Sequence, residues 1–214
     1  MSAIQEVQSP PAVRHWLWRP YLTVFTSSLC IMVLELAAER VIAPYVGSSL
    51  YTWTTVIGVV LTGISVGNYI GGRLADRRPS VRLLGLIFAL AGLAALLVLP
   101  IDALLAPGDS GLSLLWRVVG VMAAMFLLPS LVLGCVSPLV ARLAVKDLAR
   151  AGRTVGSIYA VATLGSITGT VSTGFWLIPT LRVDWIIVAV GGLLLLWGLA
   201  LRIAGRTIDA GVLR

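Results

Sequence analysis

Histidine occurs once in these 214 residues, cysteine twice, and aspartate and glutamate together nine times. Scarcity of this kind excludes most catalytic chemistry at the outset. The lone histidine, His15, and two separated cysteines make no soft-metal site, so no metal ligand set is expected. Gly108-Asp109-Ser110-Gly111 imitates a nucleophile turn, but a topology set by the basic residues puts His15 on the other side of a membrane, and no triad forms. Pro107 and two glycines make Asp109 and Ser110 a plain turn. Cys30 and Cys135 fall inside different apolar runs, which excludes a disulfide framework and leaves both as packing residues. No strand followed by a glycine-rich turn is present, so neither a nucleotide crevice nor a cofactor is expected. The spaced glycines of Gly67-Asn68-Tyr69-Ile70-Gly71-Gly72 belong to an apolar run instead.

Charge is scarce as well: 12% of residues are charged and 58% hydrophobic, with a mean hydropathy of +0.99. A water-soluble fold of this length could not hide so much apolar surface in one core. Six apolar runs, at 21–38, 52–72, 83–101, 114–141, 155–178 and 185–203, approach or exceed the roughly 20 residues that cross a hydrocarbon core. The expectation is an all-α integral membrane protein of six transmembrane helices. Residues 1–20 form an N-terminal segment, 21–204 the membrane domain and 205–214 a short tail. The lipid bilayer is the first partner. The first run is expected to be a retained helix rather than a signal peptide, since residues 1–14 carry no apolar core and no cleavage site.

The net charge of +7 has a topological origin, because the basic residues sort by connection. Arg14, Arg19, Arg73, Arg77, Arg78, Arg82, Arg142, Lys146, Arg150, Arg153, Arg202, Arg206 and Arg214 fall on one side. Arg40, Arg117 and Arg182 fall on the other, a split of 13 to 3. Both termini are therefore expected in the cytoplasm. No aromatic interleaving accompanies the basic residues, and no nucleic acid is expected as a partner.

The runs differ in ways that separate helix contacts from lipid contacts. The third and sixth are nearly all Leu, Ile, Val, Ala and Gly, which suits lipid-facing helices. The second carries Gly63, Gly67 and Gly71 at four-residue spacing, and the fifth carries Gly165, Gly169 and Thr173 beside Gly174. Small residues at this spacing let helix backbones approach closely. Polar residues gather in the first run, with Thr23, Thr26, Ser27, Ser28 and Glu35, and in the fourth, with Pro129, Ser130, Gly134, Ser137 and Pro138. Those two runs are the candidates for lining a cavity. Glu35 is costly so far along a span unless it faces water, a cation or a partner, and Glu39 shares its face one turn on. Glu35, Glu39 and Arg40 are thus the candidate site for a cation, a proton or a substrate, with structural pairing as the alternative.

The connection Gly71-Gly72-Arg73-Leu74-Ala75-Asp76-Arg77-Arg78-Pro79 resembles the signature loop between the second and third helices of the major facilitator superfamily. That resemblance implies a cytoplasmic latch of Arg73, Asp76 and Arg77. Pro79 departs from it, standing where the family has a second glycine. A further resemblance runs over nearly the whole chain. Leu34-Glu35-Leu36 with Arg40, Ala43-Pro44-Tyr45, Gly47-Ser48-Ser49, Leu128-Pro129-Ser130, Ser137-Pro138, Gly156-Ser157-Ile158-Tyr159-Ala160, Thr163-Leu164-Gly165 and Leu177-Ile178-Pro179 look like the membrane half of fused transporter and spermidine synthase-like proteins of bacteria. It implies a six-helix half of a facilitator-like fold in a bacterial inner membrane. Polyamine-related chemistry would then come from a separate synthase-like polypeptide, not from these residues, so no enzyme activity is expected. Ser49-Leu50-Tyr51 and Ser157-Ile158-Tyr159, each opening a span, suggest an inverted three-plus-three repeat. Three roles stay open: a homodimer moving a small cationic solute, an anchor for a synthase-like subunit, and an accessory subunit of a larger membrane complex.

Overall fold

The structure is a computed structural model that describes residues 18–105, 114–145 and 148–212. His15, the Gly108–Gly111 turn and Lys146 lie outside the described residues. Six helices are long and apolar enough to cross a membrane: α1 (Trp18–Val46), α2 (Leu50–Arg77), α3 (Val81–Leu104), α4 (Trp116–Ala144), α5 (Leu148–Thr180) and α6 (Val183–Val212). This is the build of a multi-pass membrane protein. All regular structure among the described residues is helical.

Several boundaries differ from the sequence reading: α2 runs on to Arg77 and α5 begins at Leu148. Helix α1 continues through Glu39 and Arg40 to Val46, because the chain leaves the helix at Gly47, whose φ of +74 favours glycine. Helix α6 runs on to Val212, so residues 205–212 extend the last span rather than form a separate tail. Short connections are capped by serine. Ser49 Oγ accepts from Thr52 N at the start of α2, and Ser80 Oγ accepts from Leu83 N at the start of α3.

Prolines explain where the spans are irregular. Pro100 follows a turn at Leu97, Pro138 a turn at Cys135, Pro129 a π-helical turn over Ala123–Leu127, and Pro179 a second π-helical turn over Thr173–Leu177. A proline has no N–H to donate, and its ring crowds the carbonyl four residues back. A widened or broken turn just ahead of it relieves both faults inside lipid.

The six helices pack chiefly as three pairs, each closed by glycine. Helices α1 and α5 run parallel: a methyl on Gly165 would meet Phe25 O at 2.5 Å, and one on Gly169 would meet Leu29 O at 2.6 Å. Helices α2 and α4 run parallel too, with Gly63 beside Ser130 and Leu127 O, Gly67 against Leu131 O, and Gly71 against Cys135. Helices α3 and α6 run antiparallel, with Gly85 against Gly198 O at 2.7 Å and Gly92 against Gly191 O at 2.7 Å. Gly63 and Gly67 correspond to Gly165 and Gly169 by a shift of 102, and the same shift carries Phe25 and Leu29 onto Leu127 and Leu131. The contact pattern therefore survives exchange of the first three helices with the last three.

Helices α1 and α4 form the centre, where Val33, Ala37, Ala38, Met122, Phe126, Leu133 and Leu139 are buried. Outward faces of α3 and α6 carry Leu86, Leu90, Leu93, Leu193, Leu196 and Leu199, suited to acyl chains. Exposed Trp53, Trp116, Trp176 and Trp185 lie at one end of the bundle, and Tyr69 and Tyr159 at the other, the levels where aromatic belts sit in a bilayer.

Candidate functional site

The acidic residues of α1 end up in different surroundings although they share a face. Glu39 is 8% exposed; its Oε1 accepts from Ser48 Oγ at 3.1 Å, and its Oε2 lies 3.8 Å from Arg40 Nε. The loop that supplies Ser48 is pinned in turn by Thr52 Oγ1 donating to Gly47 O at 3.0 Å. This arrangement holds one carboxylate at the end of the bundle with a hydroxyl and a guanidinium. Glu35, one turn deeper, is half-buried and has no hydrogen-bond or ion-pair partner among the described residues. Its counterpart on α4 under the shift of 102 is Ser137, also half-buried. The structure thus leaves Glu35, rather than Glu39, as the carboxylate of α1 without a partner among the described residues.

Arg73, Asp76 and Arg77, expected in a loop, stand on the last turns of α2, where all three are exposed at the opposite end. They do not form an ion pair with one another among the described residues. Arg73 instead stacks over the Tyr69 ring, 4.5 Å from its centroid. Asp76 is left facing outward.

The ladder glycines Gly63, Gly67, Gly71, Gly165 and Gly169 are occupied by contacts within the chain, so they offer no surface to a second copy. Gly174 is outside the ladder: it is exposed, with nothing within 4 Å, and Thr173 takes the buried place. A third set, Gly85, Gly92, Gly191, Gly198 and Gly205, closes α3 onto α6. Their seven-residue spacing was visible in the sequence but hidden among leucines in spans that composition assigns to lipid.

Several hydroxyls of α1 and α4 face inward, and some of them bond within the bundle. Thr23, Ser27, Ser28 and Ser130 are buried; Ser27 Oγ donates to Val24 O at 3.0 Å and Ser130 Oγ to Phe126 O at 2.7 Å. Trp197 Nε1 donates to Thr23 Oγ1 at 3.4 Å. An apolar cavity of about 30 Å³ lies among Pro20, Leu84, Val140 and Leu201, room for a single water. A shallow groove of about 150 Å³ runs between α1 and α6 along Leu22, Trp197, Ala200 and Ala204. Neither offers a polar solute more than a few polar atoms.

Helices α2 and α5 stand out by exposure. Within their central windows 28% and 17% of residues are buried, against 50% in α1, α3 and α4, and the same two spans are the least hydropathic among the six with α1 next. An exposed stripe on α2 runs through Thr54, Gly58, Leu61, Ser65, Asn68 and Asp76, and one on α5 through Arg153, Gly156, Ala160, Thr163, Thr170 and Gly174. Hydroxyls here bond back to their own helices, as Thr62 Oγ1 does to Gly58 O at 2.7 Å and Thr163 Oγ1 to Tyr159 O at 2.9 Å.

Compared with protein-family models, curated proteins and solved structures, the chain matches none.

Proposed function

We propose that this chain is one half of a facilitator-like membrane unit of a bacterial inner membrane, both termini cytoplasmic, working as a homodimer that passes a small cationic solute. The observation that carries the reading is the coincidence of exposure and polarity on α2 and α5. Lipid favours the most apolar faces outward, so the two least hydropathic spans should not be the most exposed unless protein or water covers them. The sequence resemblance to the membrane half of spermidine synthase-like proteins supports the same reading, and points to polyamines and organic cations as solutes. No catalysis is assigned to the chain.

In the proposed pair, α2 of one copy lies antiparallel to α5 of the other about a two-fold axis. Asp76 then meets Arg153 of the second copy, since both close their stripes at the same end of the bundle. Charge reversal tests this directly. Asp76→Arg alone and Arg153→Asp alone should each yield monomer in sizing experiments, and the double variant should restore the dimer. A wild-type chain that stays monomeric in both detergent and nanodiscs would sink the reading. Glu35 is the proposed cation ligand: Glu35→Gln should cut polyamine or organic-cation flux in liposomes at least about tenfold, the scale of a lost charge-assisted contact, while leaving the dimer intact.

A second reading, an accessory subunit of a larger membrane complex, is favoured by the sealed hydroxyls of α1 and α4. Native mass spectrometry after gentle extraction separates the two. A stoichiometric membrane subunit or synthase-like protein in place of the second copy would favour the accessory or anchoring role.

A further inference from the structure

The seam between α1 and α5 carries two polar groups that nothing else in the described chain satisfies. Thr173 Oγ1 is, among the described residues, the one buried side-chain polar atom with no hydrogen-bond partner, and the residue is 0% exposed. Glu35 is half-buried and has no partner among the described residues either. Within a membrane span both are costly unless a ligand meets them.

The glycine contacts bring the two groups to one level. A methyl on Gly169 would lie 2.6 Å from Leu29 O and 3.2 Å from Met32 Cβ, so these residues touch across the seam. Thr173 stands one turn beyond Gly169 on α5, and Glu35 one turn beyond Met32 on α1. The helices are parallel. Continuing the register of Gly165 on Phe25 and Gly169 on Leu29 puts Thr173 level with Val33, about 3 Å along the axis from Glu35. Thr173 faces α1 directly, while Glu35 lies to one flank of the seam. Because the two helices share direction and hand, that flank is the one on which α5 carries Thr170 and Gly174.

The backbone of α5 adds a third oxygen. Thr173 opens the π-helical turn, and Ile178 N–H bonds Thr173 O. Gly174 O would take its hydrogen from residue 178 in an α-helical turn and from residue 179 in a π-helical one. Residue 178 is committed and residue 179 is a proline, so Gly174 O has no donor in its own helix. Gly174 itself is exposed, with nothing within 4 Å of where a methyl would stand, so no neighbour closes that side of the turn.

Carboxylate, hydroxyl and carbonyl are hard oxygen donors, the set that unhydrated alkali and alkaline-earth ions take. One carboxylate balances one positive charge, whereas a divalent ion would leave a net charge in lipid. A fully buried hydroxyl between helices whose backbones touch is out of reach of a methylated ammonium. Irregular turns in membrane helices supply carbonyl ligands to sodium elsewhere, and π-helical turns gather at functional sites. We infer that Glu35, Thr173 and the Gly174 carbonyl form a binding site for a sodium ion between α1 and α5. The inference rests on the reading of Glu35 as the cation ligand and names the ion that neutralises it when no solute is bound.

The test uses the full-length chain in nanodiscs, with thermal unfolding followed in sodium chloride and in caesium chloride at equal ionic strength. Sodium should raise the unfolding temperature saturably, and caesium, too large to meet both side chains across a closed seam, should not. Thr173→Val should raise the half-saturating sodium concentration about fivefold, the equivalent of roughly 1 kcal/mol for a lost ligand, and Thr173→Ser should restore it. Glu35→Gln should abolish the sodium dependence. Asp184→Asn, which removes an exposed carboxylate at the same end of the bundle, should change nothing. Equal stabilisation by the two salts overturns the inference, as does an unchanged half-saturation in Thr173→Val or a matching loss in Asp184→Asn. Should the Glu35 and Thr173 variants fail to fold, radioactive sodium should still bind the wild type saturably and resist excess caesium; non-saturable binding is the opposing result. Absence of sodium binding while Glu35→Gln still cuts polyamine flux overturns this inference and leaves the transport reading standing. Sodium binding by a chain that carries no flux upholds the inference and overturns that reading.

Discussion

Thr173 shows how a single side chain can be misplaced by a local rule. Serines and threonines inside membrane helices usually return their hydroxyl proton to the carbonyl four residues back, as Thr163, Thr168 and Ser172 do here. For Thr173 that acceptor is Gly169 O, which already takes Thr173 N and Ser172 Oγ, and the π-helical turn begins at Thr173 itself. Its Oγ1 is fully buried and lacks a hydrogen-bond partner. Thr173→Val keeps the branched shape and deletes the orphaned group. It should raise stability by about 1 kcal/mol in thermal unfolding, whereas a drop of that size would mean that the hydroxyl has a partner such as a bound water. The acidic pair makes a parallel case. Spacing alone put Glu35 and Glu39 on one face, but only the loop fold brought Ser48 to Glu39 and left Glu35 without a partner.

Helix pairs are held by close backbone approach, which makes the glycines sensitive in proportion to what faces them. Gly67 sits against Leu131 O and Gly134 Cα, and Gly198 against Ala89 N and Gly85 O, all backbone atoms that cannot swing aside. Gly67→Val and Gly198→Val should each cost about 2 kcal/mol or more, the scale of an overpacked core. Gly58→Val and Gly174→Val meet open space and should leave the unfolding temperature of the monomeric chain nearly unchanged. A uniform response across all four would mean that helix propensity, not contact, governs these sites. The α2 and α5 ladders were legible from four-residue spacing. Their partners were not, because spacing marks a flat helix face without saying which neighbour lies on it. The α3 and α6 ladder is masked for a related reason: in a leucine-rich span a glycine every seventh residue barely alters composition, yet it lines up on one side of the helix.

For the molecule as a whole, the exchange symmetry between the first and last three helices sets α1 and α4 at the centre and leaves α2 and α5 with unpartnered flanks. Composition had placed α3 and α6 against lipid. The structure gives each of them two faces, one closed on the other helix through glycine and one lined with exposed leucines. If α2 and α5 meet a second copy, a single cysteine at Ser65, in a chain whose Cys30 and Cys135 are replaced by alanine, should cross-link between copies with a bifunctional maleimide. One at Leu93 on the leucine face should not. Cross-linking at Leu93 but not at Ser65 would move the interface to α3 and α6.

Six spans, their approximate ends, the one-sided placement of arginine and the prolines that interrupt four helical turns all follow from the order of residues. Each depends on a local quantity: the transfer of a short segment into hydrocarbon, or one missing N–H. Which helices touch is not local. Association within lipid gains little from hydrophobicity, since acyl chains are as apolar as leucine, so pairing is settled by van der Waals fit between distant glycine faces. Tertiary structure alone therefore sealed several hydroxyls of α1 and α4 inside, turned the polar stripes of α2 and α5 outward, and set Thr173 against α1 at the level of Glu35.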